Sequence, residues 1–344
     1  AAGLADKLAK WDLAVFGVSA EAAKLEADKA YAKKLMRSAS IPTAEARSFT
    51  DYEAAVKYAK AHETPVVVKA TGLARGKGAI VCDNLDEALD ALKRIMVDRE
   101  FGEAGDTVLI EERLVGQEVS ILALVNGQNI FVLEPSQDHK QVGEGDTGPN
   151  TGGMGAYTPT PLVDDALMRM IEREVLVPTV DALRRDGVKF QGVLYAGLML
   201  TAGGPKVLEF NCRFGDPECQ PLMVRMKGDL LEALLAVAAP SSRAMESVDL
   251  TWDERVACCV VVCSGGYPGP YEKGLPITGI ADAEADPDVT VFHAGTSKQD
   301  GETVTAGGRV LNVCALGGDL AEARDKANAA AAKIAFEGAF FRHD

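Results

Sequence analysis

The segment Leu208-Glu209-Phe210-Asn211-Cys212-Arg213-Phe214-Gly215-Asp216-Pro217-Glu218 holds the densest set of groups able to do chemistry. It continues a run from Pro205 to Phe210 that reads as a β-strand. Side chains alternate faces along a strand, so Glu209 and Asn211 project the same way, one step apart. A carboxylate and an amide oxygen side by side are hard oxygen donors of the kind Mg²⁺ takes. Arg213 is next on that face if the strand runs on, and its planar fork fits a phosphate. A metal site, a phosphate site and a turn thus meet at one strand end. The competing reading of this stretch by itself is a solvated strand end with unrelated polar residues.

A second cationic segment is Lys69-Ala70-Thr71-Gly72-Leu73-Ala74-Arg75-Gly76-Lys77-Gly78, between apolar runs at Val66 to Ala70 and Ala79 to Cys82. Glycines let backbone N–H groups approach phosphate oxygens closely. The spacing is not that of a P-loop, and no helix follows the lysine. The segment reads instead as a flap joining two strands, with Lys69 held at a strand end. Glu111-Glu112-Arg113-Leu114 ends another strand and precedes Gly116-Gln117-Glu118. Free backbone groups there suit a base edge, and a nearby carboxylate suits ribose hydroxyls. A charged surface turn is the plainer alternative.

Ser136 to Tyr157 is the least ordinary stretch. Six glycines fall within the 13 residues from Gly143 to Gly155, near Asp138, His139, Lys140, Asp146, Asn150 and Thr151. It reads as a long loop without secondary structure, and such loops are usually functional or disordered. Small polar side chains and exposed N–H groups suit a small polar or phosphorylated substrate. His139 has no inferable base partner, and His62, His293 and His343 carry no ligand spacing. Neither a G-x-S-x-G elbow nor a Cys–His signature is present.

Composition narrows the class. The chain has 344 residues, 47% hydrophobic and 25% charged, enough for two or three domains. A net charge of −15 without a Lys/Arg run argues against nucleic acid as a partner. An acidic protein that binds an anion must attract it locally, through cations, backbone N–H groups or a metal. No apolar stretch is long enough to span a bilayer, and no signal peptide opens the chain. The seven cysteines, an odd number with no C-x-x-C pair, read as buried free thiols of a cytoplasmic protein.

The elements that must position these groups alternate along the chain. Leu4 to Lys10 reads as a helix end and Leu13 to Phe16 as a short strand. Thr50 and Glu53 form a capping box before a helix from Ala54 to His62. Asn84 with Glu87 opens a helix through Met96, and Asp319 with Glu322 opens the C-terminal one. Val163 to Arg185 reads as a long amphipathic helix that Pro178 kinks or divides. Thr107 to Glu112 is a strand. Asn126-Gly127 joins Val119 to Val125 with Asn129 to Leu133, and Ala202-Gly203-Gly204 joins Gly192 to Leu200 with Pro205 to Phe210. These consecutive hairpins predict an antiparallel sheet in an α+β protein. After a linker at Ala239-Pro240-Ser241-Ser242, Val256 to Cys263, Val289 to His293 and Arg309 to Ala315 predict a smaller sheet.

Two stretches, SQDHKQVGEGDTGPNTGGMGAY from Ser136 and KVLEFNCRFGDPE from Lys206, are the most specific parts of a resemblance that runs over essentially the whole chain. Together with the flap segment, they resemble the phosphoribosylamine–glycine ligase family, ATP-grasp ligases of purine biosynthesis. The resemblance implies an α+β / α/β architecture with an ATP-grasp domain over 25–240. Within it, 25–45 is linker and first helix, 46–115 a flap subdomain and 116–240 a central sheet. It further implies a small C-terminal mixed α/β domain over 241–344, and over 1–24 a remnant of an N-terminal Rossmann-like domain. By position, Lys29 and Lys69 look like the lysines on the ATP phosphates, with Gly76, Lys77 and Gly78 as the flap over them. Glu112 and Leu114 would offer backbone groups to adenine, and Glu118 its carboxylate to ribose. Glu209 and Asn211 look like ligands of Mg²⁺ or Mn²⁺. Asp138, His139, Lys140, Asn150, Thr151, Gly152, Gly153, Arg213, Gly215 and Asp216 would face the substrates, with Arg213 and Lys69 the catalytic pair.

The implied reaction joins glycine to 5-phosphoribosylamine through glycyl phosphate, with small-molecule partners and a monomer or weak oligomer. It demands charge neutralisation and alignment more than a covalent nucleophile. Thr71 and Arg75 depart from the family's usual flap, which has an acidic residue and a small one there. Two other readings stay open: an ATP-binding fragment without turnover, and another ATP-grasp carboxylate–amine ligase.

Overall fold

Side-chain caps decide where the helices of this protein begin. The computed structural model describes residues 2–11, 13–62, 65–74 and 78–344. Asp28 accepts hydrogen bonds from the N–H groups of Ala30 and Tyr31 and opens α3, Lys29–Ser38, after the short α1 (Leu4–Ala9) and α2 (Lys24–Ala27). Asn84 caps α5, Leu85–Leu92, and Glu87 reaches back to the N–H of Asp83. The expected capping box at Thr50 is displaced by one residue. Asp51 accepts from the N–H of Ala54 and opens α4, Tyr52–Ala61. A carboxylate outperforms a threonine hydroxyl as a cap, which moves the boundary.

The chain divides into two compact units. The first comprises residues 1–133, 162–214 and 230–248. Its first sheet has the order β1-β4-β2-β3, from Ala46–Phe49, Val66–Ala70, Ala79–Cys82 and Val108–Glu112 numbered along the chain. One face buries Val66, Val68, Val108 and Ile110 under α4 and α5. Strand alternation therefore turns Lys69 and Glu111 to the opposite face. The second sheet takes β5 (Gln117–Asn126), β6 (Asn129–Val132), β9 (Gln191–Thr201) and β10 (Gly204–Asn211) in the order β10-β9-β5-β6. Its core face carries Val119, Ile121, Leu194, Ala196, Val207 and Phe210. That face packs on α3, on α6 (Asp165–Ile171) and on α7 (Val177–Arg185). Each of the larger side chains contributes about 1.5–3 kcal/mol by leaving water.

The long helix at 163–185 is continuous but not uniformly α. Capped by Asp164, it begins at Asp165, two residues later than expected, and a π-helical turn at Glu172–Leu176 precedes Pro178. A proline deprives the helix of one N–H, and a local widening absorbs that loss without breaking the rod. Leu13 to Phe16, expected as a strand, forms none. Phe16 stacks on Phe214 instead, with ring centroids 6.2 Å apart.

The second unit comprises residues 134–161, 215–229 and 249–344. Its sheet runs β14-β17-β13-β8-β7. Those strands are Gln137–Gly143 (β7), Thr147–Thr158 (β8), Val256–Cys263 (β13), Val289–His293 (β14) and Arg309–Gly317 (β17). Two-stranded ribbons, Met226–Lys227 (β11) with Thr251–Trp252 (β12) and Thr296–Gln299 (β15) with Glu302–Thr305 (β16), complete it. Helices α8 (Cys219–Arg225), α10 (Ile280–Ala283) and α11 (Leu320–Ala331) belong to this unit, and α9 (Leu230–Ala238) to the first. The unit therefore draws on the middle of the chain as well as its end.

The glycine-rich stretch is the main correction. Residues 137–158 form a β-hairpin rather than a loop. Glu144, Gly145 and Asp146 turn it, the last two at positive φ (65° and 52°). Gly155 pairs with Val260, where a Cβ would come within 2.7 Å of the Cys259 carbonyl oxygen. Glycines that read as strand breakers are here sites of close backbone approach. All seven cysteines are free thiols, five of them buried.

The displaced cap gives a direct test. Asp51→Ala is expected to lower stability by about 1 kcal/mol, and Thr50→Ala to leave the denaturation midpoint close to that of the parent. Equal losses at the two positions would restore the capping box.

Candidate active site

Three charged side chains lie buried together on the second face of the first sheet. Glu111, 3% exposed on β4, is flanked by two lysines. Lys69 Nζ stands 2.8 Å from Glu111 Oε2, and Lys33 Nζ stands 3.3 Å from Oε1. Val67 and Glu111 face each other across β2 and β4, which puts Lys69 on the diagonal. Lys33 comes from α3, one turn beyond Lys29, so the two share a helix face. Lys33 also donates to Thr43 Oγ1 at 2.7 Å and to the Ala44 carbonyl at 3.1 Å. Burial pushes its ammonium down to about 8, with the Glu111 charge pulling the other way.

Lys69 links this cluster to β10 by donating to the Leu208 carbonyl at 3.3 Å. At Leu208 the register of β10 shifts by one residue. Val207 and Phe210 can then both face the core, and Glu209 and Asn211 fall on the other face. There they lie opposite Gly197 and Tyr195, whose neighbours across β5 are Ser120 and Leu122. A bulge of this kind re-aims side chains beside a site. Gly197 leaves room: a Cβ there would contact Glu209 Cγ at 3.6 Å. Glu118 occupies the same face one pair further along β5, opposite Met199.

Lys29 donates through Nζ to the Gly72 carbonyl at 3.2 Å, and its N–H bonds the Thr71 carbonyl. Its ammonium is pushed down chiefly by burial, while Glu209 pulls it up. Lys29, Lys69 and Glu209 therefore share one electrostatic environment. Arg213 lies beyond the end of β10. It donates to Glu26 Oε1 at 3.2 Å and to Asn211 Oδ1 at 3.3 Å. Glu112 is exposed, and the Lys206 ammonium at 2.8 Å holds its carboxyl below the usual range. Leu114 follows the strand, and its N–H has no partner among the described residues. The Gly78 carbonyl accepts from the N–H of Ala70 at 2.8 Å. Gly76 and Lys77, with Arg75, lie outside the described residues.

The other expected residues belong to the second unit. Asp138 and Lys140 share one face of β7, with Lys140 Nζ 3.7 Å from Asp138 Oδ2. His139 is on the opposite face, stacked on Tyr157 beside a separate cavity of about 320 Å³ at the start of α11. Asn150 pairs with Gln141 and is exposed. Thr151 donates to the Lys140 carbonyl at 2.7 Å and accepts from the Gly153 N–H at 3.0 Å. The Gly152 N–H donates to the Tyr267 hydroxyl. Asp216, next to Gly215, receives the Arg309 guanidinium at 2.9 Å. His139 thus faces away from Asp138 and Lys140, while its Nδ1 lies 3.6 Å from Asp146 Oδ1.

Four side chains in these two clusters escaped sequence reading. Glu111 and Lys33 were visible only as a charge within an apolar strand and as an i, i+4 lysine pair. Tyr267 and Arg309 follow paired glycines, Gly265-Gly266 and Gly307-Gly308, the sole local signal for them. Cysteine chemistry is disfavoured, since burial pushes Cys212 up to about 12 and Cys219 to about 11. No group of three or more His, Cys, Asp or Glu side chains capable of holding a metal alone occurs among the described residues.

Residues 27–219 match the family model of the phosphoribosylglycinamide synthetase ATP-grasp (A) domain, and residues 257–344 its C domain. A phosphoribosylamine–glycine ligase of Rhodopirellula baltica is 51% identical over all of this chain and 79% of its own length. That of Pseudomonas aeruginosa is 48% identical with the same coverage. The crystal structure of the Thermotoga maritima phosphoribosylamine–glycine ligase superposes with a TM-score of 0.87 at 35% identity, over 96% of this chain and 81% of that one. A biotin carboxylase domain from Hydrogenobacter thermophilus, at 16% identity and TM-score 0.72, shares the fold. The fold is thus the ATP-grasp fold. The chain belongs to the phosphoribosylamine–glycine ligases, ATP-dependent ligases of purine biosynthesis.

Proposed function

We propose that this chain ligates glycine to 5-phosphoribosylamine at the expense of ATP, giving glycinamide ribonucleotide, ADP and phosphate. The glycine carboxylate attacks the γ-phosphorus and ADP leaves, forming glycyl phosphate. The amine then attacks the acyl carbon and phosphate departs. The observation that carries this reading is the reach of Lys69 from the flap sheet to the carbonyl of Leu208, the residue before Glu209. It joins a phosphate-binding cation to an oxygen-donor pair in a chain half identical to such ligases.

The donor set suits a divalent cation. Glu209 offers an exposed carboxylate and Asn211 an amide oxygen on one strand face, and Mg²⁺ commonly takes one or two such ligands alongside substrate phosphates. Bound there, the ion would neutralise charge on the transferring phosphoryl group. The protein's own residues do the rest. Lys29 and Lys69 bind and orient the phosphates. Glu111 holds Lys69 in place, since a lysine's four-carbon stem alone does not fix a point charge. Leu114 offers its N–H to the adenine edge and Glu118 its carboxylate to the ribose. Arg213, at the end of β10, stabilises charge on the acyl phosphate. The flap at 71–78 excludes water, which would hydrolyse that intermediate.

The deciding measurement is ADP release with each substrate omitted in turn. Release that requires both glycine and phosphoribosylamine is expected. A different preferred acid would point to another ATP-grasp ligase, and ATP binding without release to a fragment incapable of turnover. Glu209→Ala is expected to lower kcat/KM for Mg²⁺-ATP by roughly 10²-fold or more and to leave thermal stability near parental, because the side chain is exposed. Parental kinetics in that variant would remove the metal assignment.

Lys33 gives a test through pH. Its folded-state value near 8 lies below the about 10.4 of an unfolded lysine. From about pH 8 to about pH 10 the unfolded chain therefore holds more protons, so this group's contribution to stability rises with pH. In Lys33→Met that rise disappears. The stability of the parent relative to the variant, from urea midpoints, is expected to climb across this window. A difference flat in pH would place Lys33 outside the buried cluster.

A further inference from the structure

Arg309 begins β17 in the second unit, and its guanidinium joins two segments far apart in sequence. Nη1 donates to the Gly152 carbonyl at 2.8 Å and to the Asp216 carbonyl at 2.7 Å. Nη2 donates to Asp216 Oδ2 at 2.9 Å. The side chain is 20% exposed, so these bonds are only partly screened by water. Both anchored segments are close-fitted to the fork. A Cβ on Gly152 would come within 3.1 Å of Arg309 Cζ, and one on Gly153 within 2.4 Å of Pro217 Cδ. Tyr267 accepts the Gly152 N–H at 3.0 Å from the other side, and its ring packs where a Cβ on Gly308 would lie. Gln220 donates to the remaining oxygen of Asp216 at 3.0 Å.

We propose that Arg309 is a positioning residue for the ligation. Its fork locks the Thr151–Gly153 backbone to the Gly215–Asp216 turn, so that these groups meet the polar substrates in one fixed geometry. The identification of those groups as substrate-facing rests on the ligase reading above. The physical argument for the lock is independent of it. Two carbonyls and a carboxylate converge on one cation, and three acceptors with no donor between them would repel one another without it. Lysine cannot reproduce this, because a compact ammonium does not span two carbonyls and a carboxylate in a plane. A strand bulge carrying Gly153 at φ 110° has little stiffness of its own and takes its shape from such contacts.

The test uses Arg309→Lys and Gly152→Ala in the full chain, with two readouts. Amide hydrogen exchange over 150–155 is expected to speed up at least about tenfold in Arg309→Lys, while the strands of the first unit keep parental protection. In the ligation assay, kcat is expected to fall by roughly 10²-fold, as for a misplacement of about 1 Å, while KM for ATP stays within about twofold. Gly152→Ala displaces the same guanidinium and should give the same kinetic pattern. The double variant should be no worse than the weaker single one. Additive losses, or a rise in KM for ATP equal to the fall in kcat, would overturn the positioning role. So would parental exchange and parental kinetics in Arg309→Lys. Faster exchange in Arg309→Lys, with a parent chain that shows no glycine-dependent release, would leave the lock standing and remove the ligase reading instead.

Discussion

A carboxylate shared by two lysines in the interior of the first unit sets most of what surrounds it. Removing three charges from water carries a desolvation cost of several kcal/mol per ion, which only mutual attraction and good geometry offset. Glu111 therefore fixes its partners closely. Through Lys33 it ties α3 to β4, and through Lys69 it ties β2 to the bulge of β10. Thr43 adds a parallel link, accepting from Lys33 and donating to the Val207 carbonyl at 2.6 Å. The same cluster gathers cations within a chain of net charge −15. The cations are concentrated and immobilised at one place, and the carboxylate that neutralises part of their charge also prevents them from repelling one another apart.

The bulge at Leu208 shows how one extra residue serves both packing and chemistry. Regular alternation would put Val207 and Glu209 on one face and Leu208 and Phe210 on the other. The core needs Val207 and Phe210 together, and the shift supplies that. It leaves Glu209 and Asn211 paired on the second face beside Gly197, where no side chain competes for the space. A one-residue slip in either direction would move every one of these groups to the wrong side. The donor pair and the hydrophobic core are consequently specified by the same feature.

Most of the elements were legible because their signals are local. Apolar runs gave β2, β3, β13 and β14 to the residue, and Asn84 and Asp319 marked true caps. The shared face of Glu209 and Asn211 was legible too, since two steps along a strand preserve a face even beyond a bulge. What failed was whatever depends on partners distant in sequence. Glu111 reads as one more exposed acid after Ile110, and only the return of α3 and β2 to its side makes it buried. Leu13 to Phe16 has strand residues but no neighbour to pair with. The two faces of β7 separate His139 from Asp138 and Lys140, which a loop would not have done.

The misreading of residues 137–158 carries the most general lesson about the site. Glycines in a polar sequence suggest mobility, because glycine loses the most freedom on folding. Here several glycines stand where any Cβ would strike a neighbour: Gly153 against Pro217, Gly155 against the Cys259 carbonyl, Gly308 against the Tyr267 ring. Such a surface is rigid because it is thin. Backbones approach closely, and Thr151, Tyr267 and Arg309 satisfy the groups that would otherwise drift. A reaction whose barrier is lowered by alignment and fixed dipoles, with no covalent nucleophile, gains from that construction. Flexible loops would have to spend ordering entropy at each turnover, whereas a strand pinned at both sides has already lost that freedom on folding.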